Sequence, residues 1–468
     1  MICRKTLTSV LALSFGLMVS SGAKAADVDV SDWQGLNDQL RAGNNAIIQN
    51  DMTQWVWGTI GLDTTKSWAG VDGRGKILTA NSSNNNTAIQ WYDGNPDGGH
   101  VTLYVKNVIF DGFSKANSGG EISGGVFNIH SNSVENNFTF ENATIKNSSS
   151  TATGSDSAQG GAIRNYVMYG QNLYITNAVF EDNKAIADVA SNASGGALYL
   201  AFSQYVDNNV TNNSYKIENT TFRGNQAGLG GAVFIVSETN DASRSAPIDF
   251  SDVTFENNTA QNDGGAIYSR WGNIGNITGS FTGNTANFGG AIYNNDKSKI
   301  NNISALFTNN KAENNDGGAI YNRNDSTITT ISANFVGNTA KNNGGAIYNE
   351  SGSTIDNITN SVFENNSSGT YDGGAIYDRT NAKINTITGT TFKNNTAKNG
   401  GGAISAVDNV TIGNISNVTF SGNKAEQENG GAMRISGSTV ENITNTTFTD
   451  AVCNRGGNNN FFFFHHIT

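Results

Sequence analysis

Cysteine is almost missing from this 468-residue chain, which has two, Cys3 and Cys453. Arg4 and Lys5, the apolar stretch Leu7 to Val19 and the small-residue site Ala23-Lys24-Ala25 read as an export signal over residues 1–25. Cleavage before Ala26 would remove Cys3, so no internal disulfide could staple the exported chain, as one does in many secreted folds. Proline is equally scarce, at 2 residues against 55 glycines, a mixture that favours many repeated tight turns over several ordinary globular domains. Charge is low as well, 14 % of residues with a net −11. That balance lacks the clustered Lys and Arg that phosphate needs, which excludes nucleic acid and disfavours an anionic lipid surface. Beyond the signal no apolar run approaches ~18 residues, so no membrane-spanning helix is expected. Of the four histidines, His100 and His130 precede the regular repeats and His465 and His466 close the chain. There is no Gly-x-Ser-x-Gly, no His-Glu-x-x-His and no paired-cysteine motif. The sequence thus predicts no enzyme, no cofactor and no metal.

What the chain has is repetition. Gly-Gly-Ala followed by an apolar residue starts at Gly160, Gly195, Gly230, Gly264, Gly289, Gly317, Gly344, Gly373, Gly401 and Gly430, with a degenerate copy at Gly124. The last seven starts lie 25 to 29 residues apart and the earlier ones 34 to 36. Phe-x-x-Asn runs in step, from Phe180/Asn183 to Phe420/Asn423, and Ile-x-x-Ile lies between, as at Ile300/Ile303 and Ile384/Ile387. Each unit therefore holds three short β-rich segments separated by turn formers. Three strands in ~28 residues cannot make hairpin arrays. They can make a coil whose equivalent strands stack in parallel at ~4.8 Å. The fold class read from this is all-β, a right-handed single-stranded parallel β-helix with three strands per coil.

Alternation along a strand assigns the faces. The position after Gly-Gly-Ala-Ile carries Arg164 and Arg434, and arginine stacked in a dry core would be very costly, so that position faces out. Ile163, Ile267, Ile292, Ile320, Ile347 and Ile376 then face in, and Phe255, Phe281, Phe307, Phe335, Phe363 and Phe392 form an inward ladder worth roughly 1.5–3 kcal/mol of burial each. The asparagines Asn258, Asn284, Asn310, Asn338, Asn366 and Asn395 read as turn residues tolerating a left-handed backbone and bonding to the next coil.

Ser31-Asp32 ahead of Trp33, Leu36 and Leu40, with Gly43 beyond, predicts a short capped helix over the open end of the stack. The chain divides into the signal (1–25), an N-terminal cap with irregular first coils (26–110), the repeats (111–448) and an irregular tail (449–468) containing Phe461 to Phe464.

Gly-Gly-Ala-[Ile/Leu/Val] alternating with Phe-x-x-Asn resembles the chlamydial polymorphic outer-membrane protein repeat, and more broadly the passenger of a bacterial autotransporter, over about residues 124 to 425. The resemblance implies a surface-exposed β-helix, often an adhesin, that reaches the cell exterior through a C-terminal outer-membrane barrel. The ~10-residue alternating strands of a barrel do not follow Phe448, so the outer membrane is reached only through a barrel absent from this chain.

The outward aromatics Tyr199, Phe234, Tyr268, Tyr293, Tyr321, Tyr348 and Tyr377 have two readings. They stabilise the stack by neighbour contact, or they form an exposed stripe that binds ligand. Arg270, Asn295, Arg323, Glu350 and Arg379, two residues further on, read as a surface charge ladder. Asp263, Asp316 and Asp372 each precede a Gly-Gly pair but fall on alternate coils, too far apart for oxygens to converge on calcium. The leading expectation is a secreted bacterial surface adhesin binding host-cell or extracellular glycan or protein. Alternatives are a polysaccharide lyase or hydrolase on the same scaffold, with the longer coils at 160 to 264 as the place for its cleft, and a structural protein that associates with itself.

Overall fold

The computed structural model describes residues 25–453, apart from 55–58, 64, 82–85, 93–101, 118–120, 132–135, 169, 204–212 and 243–245. The signal through Lys24, His100, and the tail from Asn454 with Phe461 to Phe464, His465 and His466 lie outside the described residues.

One coil shows how the repeat folds. The strand Ile292–Asn295 leads through a turn at Asp296 and Lys297, both at positive φ, into Lys299–Thr308. Asn309, at φ 54, bends the chain into the short strand Lys311–Ala312. A loop then reaches Gly317-Gly318 and the next coil begins at Ile320–Asn322. Stacking the coils gives a right-handed parallel β-helix with three sheets, a tyrosine sheet, a phenylalanine sheet and a short third sheet. Every pairing between described strands is parallel, and the register joins like to like: Phe307, Phe335, Phe363, Phe392, Phe420 and Phe448 are successive partners.

The interior consists of those ladders. Ile292, Ile320, Ile347 and Ile376 are fully buried, as are both isoleucines of each Ile-x-x-Ile segment from Ile300/Ile303 to Ile412/Ile415. The phenylalanine rings stack face to face from Phe180 to Phe448, with centroids 4.7–4.9 Å apart. That spacing equals the strand separation of a sheet, so the backbone ladder itself sets the ring stack.

The two glycines of each pair are required for different reasons. Gly344 sits at φ +63, a conformation that side chains with a Cβ rarely adopt. A Cβ on Gly345 would lie 2.1 Å from the carbonyl oxygen of Gly374 in the next coil. The first glycine turns the chain, and the second lets coils approach.

The asparagine ladder bonds from coil to coil, but the left-handed part of the sequence reading is corrected. Asn258, Asn284, Asn310, Asn338, Asn366 and Asn395 are fully buried, and the left-handed residue is the one before each: Asn257, Gly283, Asn309, Gly337, Asn365 and Asn394. Each buried amide links three coils. Asn338 Nδ2 donates to the Phe307 carbonyl (3.0 Å) and to Asn366 Oδ1 (3.0 Å), while Asn338 Oδ1 accepts from Asn310 N (3.0 Å) and Nδ2 (3.0 Å). These side chains satisfy corner backbone groups that no sheet reaches.

At the N-terminal end, helix α1 (Trp33–Ala42) is capped by Asp32, which accepts from Gly35 N at 2.8 Å, and stopped by Gly43 at φ 79. Trp33, Leu36 and Leu40 are buried in the first coils, where Trp33 stacks on Phe113 at 6.1 Å. At the other end, pairing runs past the expected start of the tail: Val452–Cys453 pairs with Lys424–Ala425. Residues 449–453 thus belong to the stack.

Candidate functional site

The outward residues of the tyrosine sheet bring all seven predicted aromatics into one column. Neighbouring centroids are 4.8–5.3 Å apart from Tyr199 through Phe234, Tyr268, Tyr293, Tyr321 and Tyr348 to Tyr377. Most pairs are stacked. Tyr293 and Tyr321 instead meet at 77°, because Phe288 inserts and takes Tyr321 as its stacking partner at 5.4 Å. Phe234, Tyr268, Tyr293, Tyr321, Tyr348 and Tyr377 are 2–6 % exposed, and Tyr199 is half-buried. An exposed stripe is therefore corrected to a covered one. At ~5 Å no ligand ring fits between the aromatic faces, and Leu229, Val236 and Val407 flank the column. What reaches the surface is a line of ring edges and hydroxyls.

The hydroxyls of Tyr268, Tyr293, Tyr321 and Tyr348 are engaged. Tyr268 Oη accepts from Asn295 Nδ2 (3.1 Å), and Tyr348 Oη donates to Glu350 Oε2 (3.0 Å). The other oxygen of that carboxylate, Oε1, takes the Tyr321 hydroxyl and lies 3.1 Å from Arg323 Nε. The other arginines of the row turn elsewhere, Arg270 to Asp296 (3.0 Å) and Arg379 to Asp408 (3.2 Å). Burial pushes Tyr268 and Tyr377 up to about 12, and raises Tyr293, Tyr321 and Tyr348 as well, so all five remain neutral near pH 7.

The aspartates before the glycine pairs differ in their partners. Asp316 Oδ1 accepts from Asn343 N and Nδ2 (both 2.9 Å), and Asp372 accepts from Gly400 N (2.8 Å) and pairs with Arg434 (2.6 Å). Asp263 has Phe288 beside it in register, and burial pushes it up to about 6. Among the described residues no group of three or more His, Cys, Asp or Glu is placed to hold a metal ion.

A second buried polar ladder escaped the sequence reading. Asn294 Nδ2 donates to Asn322 Oδ1, Asn322 Nδ2 to Asn349 Oδ1, and Asn349 Nδ2 to Asp378 Oδ1, each at 2.8 Å. The next position in register is Ala406, so the ladder stops on a carboxyl group. Asp378 is fully buried, its Oδ2 has no hydrogen-bond partner, and burial pushes it up to about 7. Alternation held the signal: two residues after an inward isoleucine the chain must face in again.

The unit formed by the phenylalanine strand, the buried asparagine, the glycine pair and the tyrosine strand is also what a family model recognises. Residues 252–270, 304–323, 332–350, 360–379 and 389–407 match the Chlamydia polymorphic membrane protein repeat. The chain carries this repeat. The coil of Phe281, Asn284, Gly289 and Tyr293, between the first two matches, has the same register and hydrogen bonds. No curated protein and no solved structure matches the chain. The repeat implies a place at the outer membrane or cell surface. Among the described residues no helix is long and apolar enough to cross a membrane.

Proposed function

We propose that the chain is a surface adhesin, a stiff rod that displays its outer faces to host-cell or matrix glycans or proteins and performs no catalysis. The polymorphic membrane protein repeat supports this reading, and the observation that carries it is how the repeat is spent. Its phenylalanine, asparagine, glycine and tyrosine positions all serve coil-to-coil contact, so recognition falls to residues outside the repeat.

Such residues stand on the longer coils between Gly160 and Gly264. Ile186 (45 % exposed) lies on the short-sheet strand Lys184–Ala187, and Val189 (49 %) just beyond it, before the turn Ala190–Asn192. Gly228 admits this turn, since a Cβ there would lie 1.6 Å from the Ala190 carbonyl oxygen. Exposed aliphatic side chains on a packed insertion suit a protein partner better than a soluble sugar. The test applies the purified chain to host cells, matrix proteins and a glycan array. Saturable binding that weakens at least tenfold in a folded Ile186→Asp/Val189→Asp variant is expected. Failure to bind any of the three surfaces would overturn the reading.

A further inference from the structure

The outer face of the phenylalanine sheet has a composition that stacking does not require. Six successive strands present the segments 299–304, 327–332, 354–359, 383–388, 411–416 and 439–444. Their isoleucines and Val440 point inward, leaving four outward rows. These rows read Lys299, Thr327, Thr354, Lys383, Thr411, Thr439; Asn301, Thr329, Asp356, Asn385, Gly413, Glu441; Asn302, Thr330, Asn357, Thr386, Asn414, Asn442; and Ser304, Ser332, Thr359, Thr388, Ser416, Thr444. Of these 24 positions 19 are Thr, Ser or Asn, and the charged ones are two Lys against one Asp and one Glu, for a net charge of zero. The whole chain carries −11. Apart from the buried Gly413, every position in the array is half-buried or exposed.

The rows are ordered along the axis. Asn302 Nδ2 donates to Asn276 Oδ1 (2.8 Å), Asn442 Nδ2 to Asn414 Oδ1 (3.0 Å), and the Thr388 and Ser416 hydroxyls are 3.0 Å apart. Hydroxyls and amides both donate and accept, so each side chain held in its ladder keeps capacity directed outward.

We propose that this face is a docking surface for a second copy of the chain. In a two-fold dimer the same patch meets itself. A patch of one charge sign would repel its copy, whereas a neutral array of groups that both donate and accept is complementary to itself at every row. Interdigitating short side chains are what hold stacked β-sheets face to face. The size fits as well. Six strands at ~4.8 Å and six residues at ~3.3 Å give roughly 600 Å² per copy, so a dimer would bury about 1,200 Å², the lower bound of specific interfaces. An association of that size is reversible and depends on concentration.

The experiment is sedimentation velocity of the purified full chain over a concentration series up to about 1 mM, with two triple variants. One is Asn302→Glu/Asn357→Glu/Asn414→Glu and the other Asn302→Lys/Asn357→Lys/Asn414→Lys, each checked for an unchanged circular dichroism spectrum. The wild type should dimerise reversibly, each variant alone should raise the dimer Kd at least tenfold, and their 1:1 mixture should restore association. If one variant fails to fold, Thr330→Lys/Thr386→Lys and Thr330→Glu/Thr386→Glu make the same comparison. A wild type monomeric throughout the series would overturn the proposal and leave the face to a neutral glycan. A dimer insensitive to both charge variants would also overturn it, by placing the contact elsewhere.

Discussion

Replacing Asp378 by asparagine should stabilise the protein at neutral and alkaline pH and remove most of one component of its pH dependence. The buried ladder Asn294, Asn322, Asn349 ends on this carboxyl, whose Oδ1 accepts from Asn349 and whose Oδ2 has no partner. In the three coils before it, the atom equivalent to Oδ2 is an amide nitrogen facing a carbonyl four residues on, at Ser298, Ser326 and Ser353. The Asp378→Asn side chain would supply that donor. Burial lifts the carboxyl from an ordinary 3.8 to about 7 in the fold, so the native state binds the proton more tightly than the unfolded chain. A raised acid gives stability that is fully present below the unfolded value and lost as pH climbs through the folded one. The window is thus about pH 4 to 7, and the interval of about 3 pH units corresponds to roughly 4 kcal/mol lost by pH 8. Asp263, Asp316 and Asp372 are raised too and act in the same direction, so the quantity to measure is the difference between wild type and variant. Guanidinium unfolding at pH 4.5 and pH 8.5, with hydrogen exchange of the coil Ile376–Thr388 as a local reporter, gives that difference. The reasoning predicts near equality at pH 4.5 and a variant several kcal/mol more stable at pH 8.5. Equal stability at both pH values, or a less stable variant at pH 8.5, would refute it.

Three further perturbations probe the ladders. Phe335→Ala removes a ring stacked on both sides and should cost about 3–5 kcal/mol in denaturant unfolding, while Phe335→Leu should cost visibly less. Asn338→Ala leaves the Phe307 carbonyl and the Asn310 amide groups without their partner, at about 1–3 kcal/mol for each buried group; faster amide exchange at Asn310 is the readout. Gly345→Ala sets a methyl against the Gly374 carbonyl and should split the stack, seen as new proteolytic cleavage between Gly344 and Gly374. Gly61→Ala, where nothing lies within 4 Å and φ is not positive, controls for the loss of glycine freedom alone.

The repeat made the fold legible because a solenoid forces each sequence position into one recurring environment. The periods of Gly-Gly-Ala, Phe-x-x-Asn and Ile-x-x-Ile sufficed for three parallel sheets, and alternation sufficed for the direction of Ile292 or Phe307. Direction is not exposure, however. Tyr321 points away from the core, yet its neighbours at ~5 Å and Phe288 cover it. Asparagine was ambiguous in a different way, since it is both a common left-handed residue and a donor-acceptor pair suited to a buried corner. Composition by position would have resolved this. The residue before each ladder position varies among Asp182, Gly224, Asn257 and Gly283, all tolerant of positive φ, while Asn183, Asn225, Asn258 and Asn284 never vary. A position that needs only a conformation accepts several residues, and one that needs both ends of an amide accepts one. Asp378 was hidden because four-residue strands give alternation too few steps to be noticed two residues past the isoleucine.

The central claim is one continuous axis with one strand separation per coil, and pulsed dipolar spectroscopy on spin-labelled pairs tests it most directly. In a Cys3→Ser/Cys453→Ser background, labels at Asn302 and Asn357, Asn302 and Asn414, and Asn276 and Asn442 are two, four and six coils apart. The fold predicts backbone separations rising linearly through about 10, 19 and 29 Å. Distances that fail to grow in proportion to the coil count would contradict it.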